Sequence, residues 1–234
     1  MSNKNSSDLL AGQQLPLKAP TIGQQTLDNY FGFATMVAHL RRLREHELIY
    51  LWGEPGSGKS HLLKACCLSP AVSGGSQYLD LQTMAGQRAL PQPFPTPALL
   101  AVDNLYLMAG DRQAEQAWLE GFEQARKTGQ CWVVAARNAP ALSGFTLPDL
   151  VSRLESGTVY QLRQPGEGQK RLALQQRARQ LGFELSDQVV DYLLLRSARD
   201  MHALFAVLDQ LDTASLVQQR KVTVPMLRQL LVSK

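Results

Sequence analysis

The chain has 234 residues, 44% hydrophobic and only 19% charged, which excludes a self-repelling disordered chain and suits one large domain or two small ones. Its net charge is +4, and the excess sits at one end: residues 1–159 carry 13 basic and 13 acidic side chains, residues 160–234 carry 11 and 7. That mild excess permits contact with nucleic acid or an acidic protein but falls short of the dense basic stripe of a dedicated DNA reader. Cys66, Cys67 and Cys131 form no disulfide framework, which fits a reducing cytoplasm. No apolar run approaches the ~18 residues of a membrane span, and Met1–Leu10 is polar, unlike a secretory signal.

In chain order, residues 1–24 predict a flexible arm. Met36, Val37, Leu40 and Leu43 at 3–4 spacing predict a helix over 33–44. Leu48–Trp52 is a short continuous apolar run, the pattern of a buried strand. A Gly-rich loop, 53–60, and a helix, 60–68, follow. Gln77–Leu81, Leu99–Asp103 and Cys131–Ala136 read as three more buried strands, with a helix over 113–127 closed by Gly129. Thr158–Leu162 reads as a fifth strand. Alternating strands and helices predict an α/β fold with a parallel five-stranded sheet flanked by helices, over 25–164. From 165 to 234 the pattern is helical only: 169–180, 186–196, 199–216 and 224–231, with Ser197 and Asp200 as a capping box and Thr223 and Pro225 as a helix start. This predicts a small all-helical C-terminal domain.

The strongest motif is Gly53-Glu54-Pro55-Gly56-Ser57-Gly58-Lys59-Ser60, a full G-x-x-x-x-G-K-[ST] match. By chance such a match arises in roughly one chain in a hundred of this length, and here it lies between a predicted strand and a predicted helix. Phosphate oxygens need many donors at once. Glycines let backbone N–H groups turn inward, and the helix N-terminus adds positive partial charge. Lys59 is placed to reach the β- and γ-phosphates, and Ser60 to hold Mg²⁺. Leu99–Asp103 is an apolar strand ending in a carboxylate, where ligands bind in open α/β sheets, so Asp103 is expected in the Mg²⁺ shell. Asn104 follows it. An amide does not accept a proton at neutral pH, which predicts poor intrinsic hydrolysis, with another carboxylate or water positioning by Asn104 as the alternative.

Residues 53–61 and 99–104 with the helical tail resemble the AAA+ P-loop ATPases. The segments 49–53, 59–63, 147–154, 208–212 and 219–225 narrow this to the DnaA regulatory inactivator (Hda) family, paralogues of the AAA+ domain of the initiator DnaA, over about Gln14 to the C-terminus. Leu147-Pro148-Asp149-Leu150-Val151-Ser152-Arg153-Leu154 and Leu208-Asp209-Gln210-Leu211-Asp212 are the most specific blocks. The resemblance implies a helical lid and a nucleotide, ADP or ATP, with Mg²⁺, held by Gly53, Gly56, Ser57, Gly58, Lys59, Ser60, His61, Asp103 and Asn104. It makes Arg153 an arginine finger acting in trans; physics alone would accept a surface Arg at a helix end, favoured by the dipole. It makes Arg199 a lid residue that reaches the phosphates. An acidic residue is expected by resemblance where Arg137 stands, with Asn138 as a substitute. Gln14, Leu15 and Leu17 resemble a motif that docks on the DNA polymerase sliding clamp, although Lys18 stands where a bulky apolar residue is usual.

The implied function is an ADP-binding regulator that, on the DNA-loaded clamp, stimulates hydrolysis of DnaA-bound ATP and prevents over-initiation of replication. Its partners would be DnaA, the clamp, DNA through the clamp, with self-association left open. It would be cytoplasmic, associated with the nucleoid through the clamp. A helicase-loader ATPase of the DnaC type is the alternative. An initiator-like DNA binder is disfavoured because no recognition helix follows the last lid helix. His39, His46, His61 and His202 show no metal spacing, Trp52, Trp118 and Trp132 are expected in the core, and Lys170, Arg171, Arg177 and Arg179 on a solvated helix face.

Overall fold

The computed structural model describes residues 25–30, 32–69, 74–83, 97–196, 201–218 and 222–232. Gln14, Leu15, Leu17, Lys18, Arg199 and the Ser197–Asp200 cap lie outside these residues. Five strands form one parallel sheet: β1 (Leu48–Gly53), β2 (Ser76–Asp80), β3 (Leu99–Asp103), β4 (Cys131–Ala136) and β5 (Thr158–Leu162). The order is β2-β3-β4-β1-β5. The register pairs Asp80 with Asp103, Trp52 with Ala136, and Gly53 with Leu162. Every strand therefore ends along the same sheet edge.

The period of two in each strand divides the core. Ile49, Leu51, Val133 and Ala135 point to one face, where they meet α1 (Ala34–Leu40) and α2 (Lys59–Cys67) through Met36, Leu40, Leu62 and Cys66. Tyr50, Trp132 and Val134 point to the other, against α3 (Arg112–Thr128) and α4 (Pro148–Glu155) through Trp118, Phe122, Leu150 and Leu154. Burial on both faces explains the uninterrupted apolar runs of β1, β3 and β4. Trp118 and Trp132 meet edge to face at 5.7 Å, and Phe122 lies 4.4 Å from Trp132.

Three expectations need correction. The buried strand expected over 77–81 forms at 76–80 as a partly exposed edge strand, whereas the strand expected over 158–162 forms over those residues, at the opposite edge. Trp52 is only half-buried, unlike Trp118 and Trp132. Helix α1 ends at Leu40, although Leu43 still packs into the core. Helix α3 opens at Arg112 because the Asp111 carboxylate accepts from the N–H groups of Gln113 and Ala114, each at 3.1 Å. Gly129, at φ +79°, closes it.

Helices α5 (Glu167–Gln180), α6 (Asp187–Arg196), α7 (Met201–Gln218) and α8 (Val224–Val232) share a separate core of Leu174, Val190, Leu193, Leu204, Leu208 and Leu227. The solvated basic face expected on α5 is only in part realised. Arg171 contacts Asp191 and Asp187, Arg177 bonds Asp209 at 2.6 Å, and Lys170 is buried. Acidic side chains on α6 and α7 face α5, so Arg171 and Arg177 are paired with exposed acids, while Arg179 is exposed as expected. Among the described residues, no helix is long and apolar enough to cross a membrane.

Candidate nucleotide site and an arginine on the far face

The loop from β1 to α2 needs glycine at two points. Gly53 has φ +153°, and a Cβ there would lie 2.1 Å from the Leu162 carbonyl oxygen, so β1 and β5 approach this closely only with a bare backbone. Gly58 has φ +92° as the N-cap of α2, and a Cβ would meet the Tyr30 ring at 2.7 Å. Its missing side chain leaves the first-turn N–H groups of α2 without a side-chain cap, the donor set that an anion satisfies. Lys59 Nζ donates to the carbonyl oxygens of Gly53 and Glu54 at 2.6 and 2.9 Å, and to Ser57 Oγ at 3.3 Å. Burial lowers the Lys59 ammonium below the usual lysine value, Asp103 opposes this, and Arg137 adds to it. The ammonium thus shares one neighbourhood with the carboxylate of Asp103 and a second cation. Ser60, in the first turn of α2, is exposed. Backbone donors, an ammonium, a hydroxyl and a carboxylate on one sheet edge fit a Mg²⁺-nucleoside phosphate.

Asp103 is 2% exposed. One carboxylate oxygen accepts from the Asn104 N–H and the other from the Tyr78 hydroxyl, both at 2.9 Å. The Tyr78 phenol is pushed far up, first by burial and then by Asp103, so it remains a donor. Asn104 adopts the left-handed conformation at φ +60° and donates from Nδ2 to Asp80 at 2.8 Å. Neither Tyr78 nor Asp80 belongs to a motif; their alternate positions on the strand beside Asp103 are the available signal.

His61 is a tether. Its Nε2–H donates to the Thr26 carbonyl at 2.9 Å, and burial lowers its pKa despite that bond. Tyr30 lies over the loop: its hydroxyl points to the Ser57 carbonyl at 3.4 Å and its ring is 6.0 Å from that of His61. Burial raises the Tyr30 phenol to about 12. Thr26 and Tyr30 therefore tie the segment before α1 to α2 and to the Gly53–Ser60 loop, a contact no local pattern announces. Gln164, beyond β5, donates to the Pro55 carbonyl at 3.0 Å and joins the chain leading into α5 to the same loop. Arg137 stacks on Tyr106, 4.4 Å from the ring centroid. The backbone carbonyl of Asn138 accepts from Tyr50 and Ser143.

Arg153 is not brought to this loop. It lies on α4, partly exposed, and pairs with Glu123 on α3. The segment that launches α4 is fixed by Glu115, a fully buried carboxylate. Glu115 accepts from the N–H groups of Gly110, Thr146 and Leu147 and from the Thr146 hydroxyl, at 2.7 to 3.0 Å. Burial pushes its pKa up, but these bonds outweigh burial and hold it below the usual glutamate value. An acidic residue on the apolar stripe Ala114, Trp118, Phe122, Ala125 is the signal that could have found it.

A family model for the Hda lid domain matches residues 167–231. An uncharacterized protein of Haemophilus influenzae is 35% identical over 228 residues, covering 94% of this chain and 98% of its own length. Domain III of the Thermotoga maritima replication initiation protein DnaA matches with a TM-score of 0.69 at 17% identity, over 90% of this chain and 96% of that one. AMPPCP-bound DnaA from Aquifex aeolicus matches with a TM-score of 0.62 at 18% identity, over 80% and 65% of the two chains. The sheet order, the helical lid and these likenesses place the chain on the AAA+ fold, and the lid over residues 167–231 is that of the Hda family.

Proposed function

We propose that this DnaA-related replication regulator holds a nucleotide of its own and acts on the ATP bound by DnaA. The observation that supports this most is a split in its phosphate chemistry. The cradle at Gly53–Ser60 is complete, yet the residue after Asp103 is an amide already donating to Asp80. Its own site thus has no base for an attacking water at that position, while Arg153 stands on α4, paired away from the loop.

In this reading residues 25–164 form the nucleotide domain, 165–234 the lid and 1–24 a docking arm. Gly53, Gly56, Ser57 and Gly58 offer backbone donors, and Lys59 neutralises the phosphates. Ser60 and Asp103 hold the Mg²⁺ shell, His61 and Asn104 flank it, and Arg199 closes on the phosphates from the lid. ADP is the working ligand, with ATP the alternative. The fit of a nucleotide is supported by the AMPPCP-bound state of the Aquifex aeolicus DnaA. Gln14, Leu15 and Leu17 dock on the sliding clamp, which brings the chain to DNA in the cytoplasm. Arg153 then neutralises charge developing on the γ-phosphate of DnaA-bound ATP, an effect worth about 10³–10⁵ in rate where such fingers are understood. DnaA is left in its inactive form and initiation is restrained.

Asp80, 2.8 Å from Asn104, favours a second reading, a self-contained ATPase of the helicase-loader type, because it offers a carboxylate one strand away. Two rates separate them. With DnaA·ATP and DNA-loaded clamp, the chain should accelerate hydrolysis, while alone it should turn over ATP well below about 1 s⁻¹, an ordinary enzymatic rate. Enzyme-like turnover alone without any effect on DnaA would select the loader-type reading.

A further inference from the structure

Arg153 does not stand free on α4. Its Nη2 is paired with one carboxylate oxygen of Glu123, and the other oxygen lies 3.6 Å from Arg126 Nη2, one turn further along α3. The side chains of Arg153 and Glu123 are 31% and 33% exposed, so the pair is open to water and to an approaching anion. Arg153 Nε is buried without an acceptor. A guanidinium is recognised best through parallel N–H bonds from its fork, and Glu123 engages only one arm of it. Glu123 also lines an open surface groove along α3, with Leu119, Glu120 and Lys127, so the carboxylate of the pair faces solvent.

We propose that Glu123 is a positioning residue, a releasable counter-ion that holds Arg153 until a partner's anionic group takes it, with Arg126 inheriting the carboxylate. This deepens the reading of Arg153 as a residue that acts in trans and rests on it. A terminal phosphate carries more charge than a carboxylate and presents three oxygens, so it satisfies the arm Glu123 holds and offers more acceptors to the rest of the fork. The exchange orphans nothing, because Arg126 is already within reach of Glu123. Before that exchange, Glu123 neutralises Arg153 and disfavours engagement with stray phosphates in solution. Glu123 therefore sets how much partner is needed, and the phosphate contact itself belongs to Arg153.

The test titrates the chain against DnaA·ATP on DNA-loaded clamp, reading hydrolysis for the intact chain and for Glu123→Gln, Glu123→Asp, Arg126→Ala and Arg153→Ala. Glu123→Gln keeps the shape and removes the charge. It should reach half-maximal stimulation at about two- to fivefold lower concentration, the range of a partly exposed ion pair, and the gain should shrink as salt rises. Glu123→Asp, which keeps the charge, should stay near the intact chain, and Arg126→Ala should require more protein. If Arg153→Ala is inactive but Glu123→Gln is no better than the intact chain, or Glu123→Asp behaves as Glu123→Gln does, the counter-ion role is wrong and the trans reading survives. If Arg153→Ala is as active as the intact chain, the trans reading fails and takes this proposal with it.

Discussion

Glu115 shows how one buried charge organises a distant segment. Its carboxylate satisfies donors at Gly110, Thr146 and Leu147, and the last two lead directly into α4. Because its folded pKa lies below the usual value, its stabilisation is fully present above the unfolded glutamate value, about 4.3, and is lost as pH falls through the folded value. Glu115→Gln should therefore destabilise the chain by about 2–4 kcal/mol at pH 7, the cost of disrupting a buried charge with several bonds. In urea unfolding the gap should narrow between pH 5 and pH 3; a gap that is constant with pH would mean the carboxylate's charge contributes nothing. At this scale the sequence was only partly readable. Lys59, Ser60 and Asp103 are legible because their spacing is itself the motif. Tyr78 and Glu115 leave only a positional hint and Tyr30 and Glu123 none, since each works through a partner 25 to 31 residues away.

Among the elements, the junction of β1 and β5 is the least forgiving. Gly53 pairs with Leu162, and any Cβ there would lie 2.1 Å from the Leu162 carbonyl oxygen. Gly53→Ala must displace β5 or the loop, and should cost at least ~2 kcal/mol from strained backbone and steric displacement. It should also weaken nucleotide binding, because the phosphate loop starts at this residue. Calorimetric unfolding and nucleotide titration of the variant measure both; a variant with intact stability and affinity would contradict this account of the loop. The strands were legible where both faces are buried, as in β3 and β4, since nothing interrupts their apolar runs. The edge positions of β2 and β5 were less so, because strand order depends on how the connections cross the sheet and leaves no mark in the strands themselves. The basic residues of α5 looked solvated because their acids, Asp191 and Asp209, belong to other helices.

At the scale of the molecule, the chain separates two groups of polar residues. One sheet edge gathers Gly53, Lys59, Asp80, Asp103 and Arg137, while Arg153 stands on the face covered by α3 and α4, paired with Glu123. The sheet core and the lid core form separate hydrophobic clusters, with Gln164 reaching Pro55 where the chain leaves β5 for α5. Such a division suits a protein that holds one nucleotide and presents an arginine to another. It was legible in outline from the change to purely helical spacing after Pro165, but the separation of Arg153 from its own loop is a property of the folded chain. The most direct measurement is single-turnover hydrolysis of labelled ATP bound to DnaA, with DNA-loaded clamp, comparing the intact chain with Arg153→Ala. The intact chain should accelerate hydrolysis and Arg153→Ala should lose that acceleration, by about 10³-fold or more where the finger acts fully. Equal acceleration by both, or none by either, would contradict it.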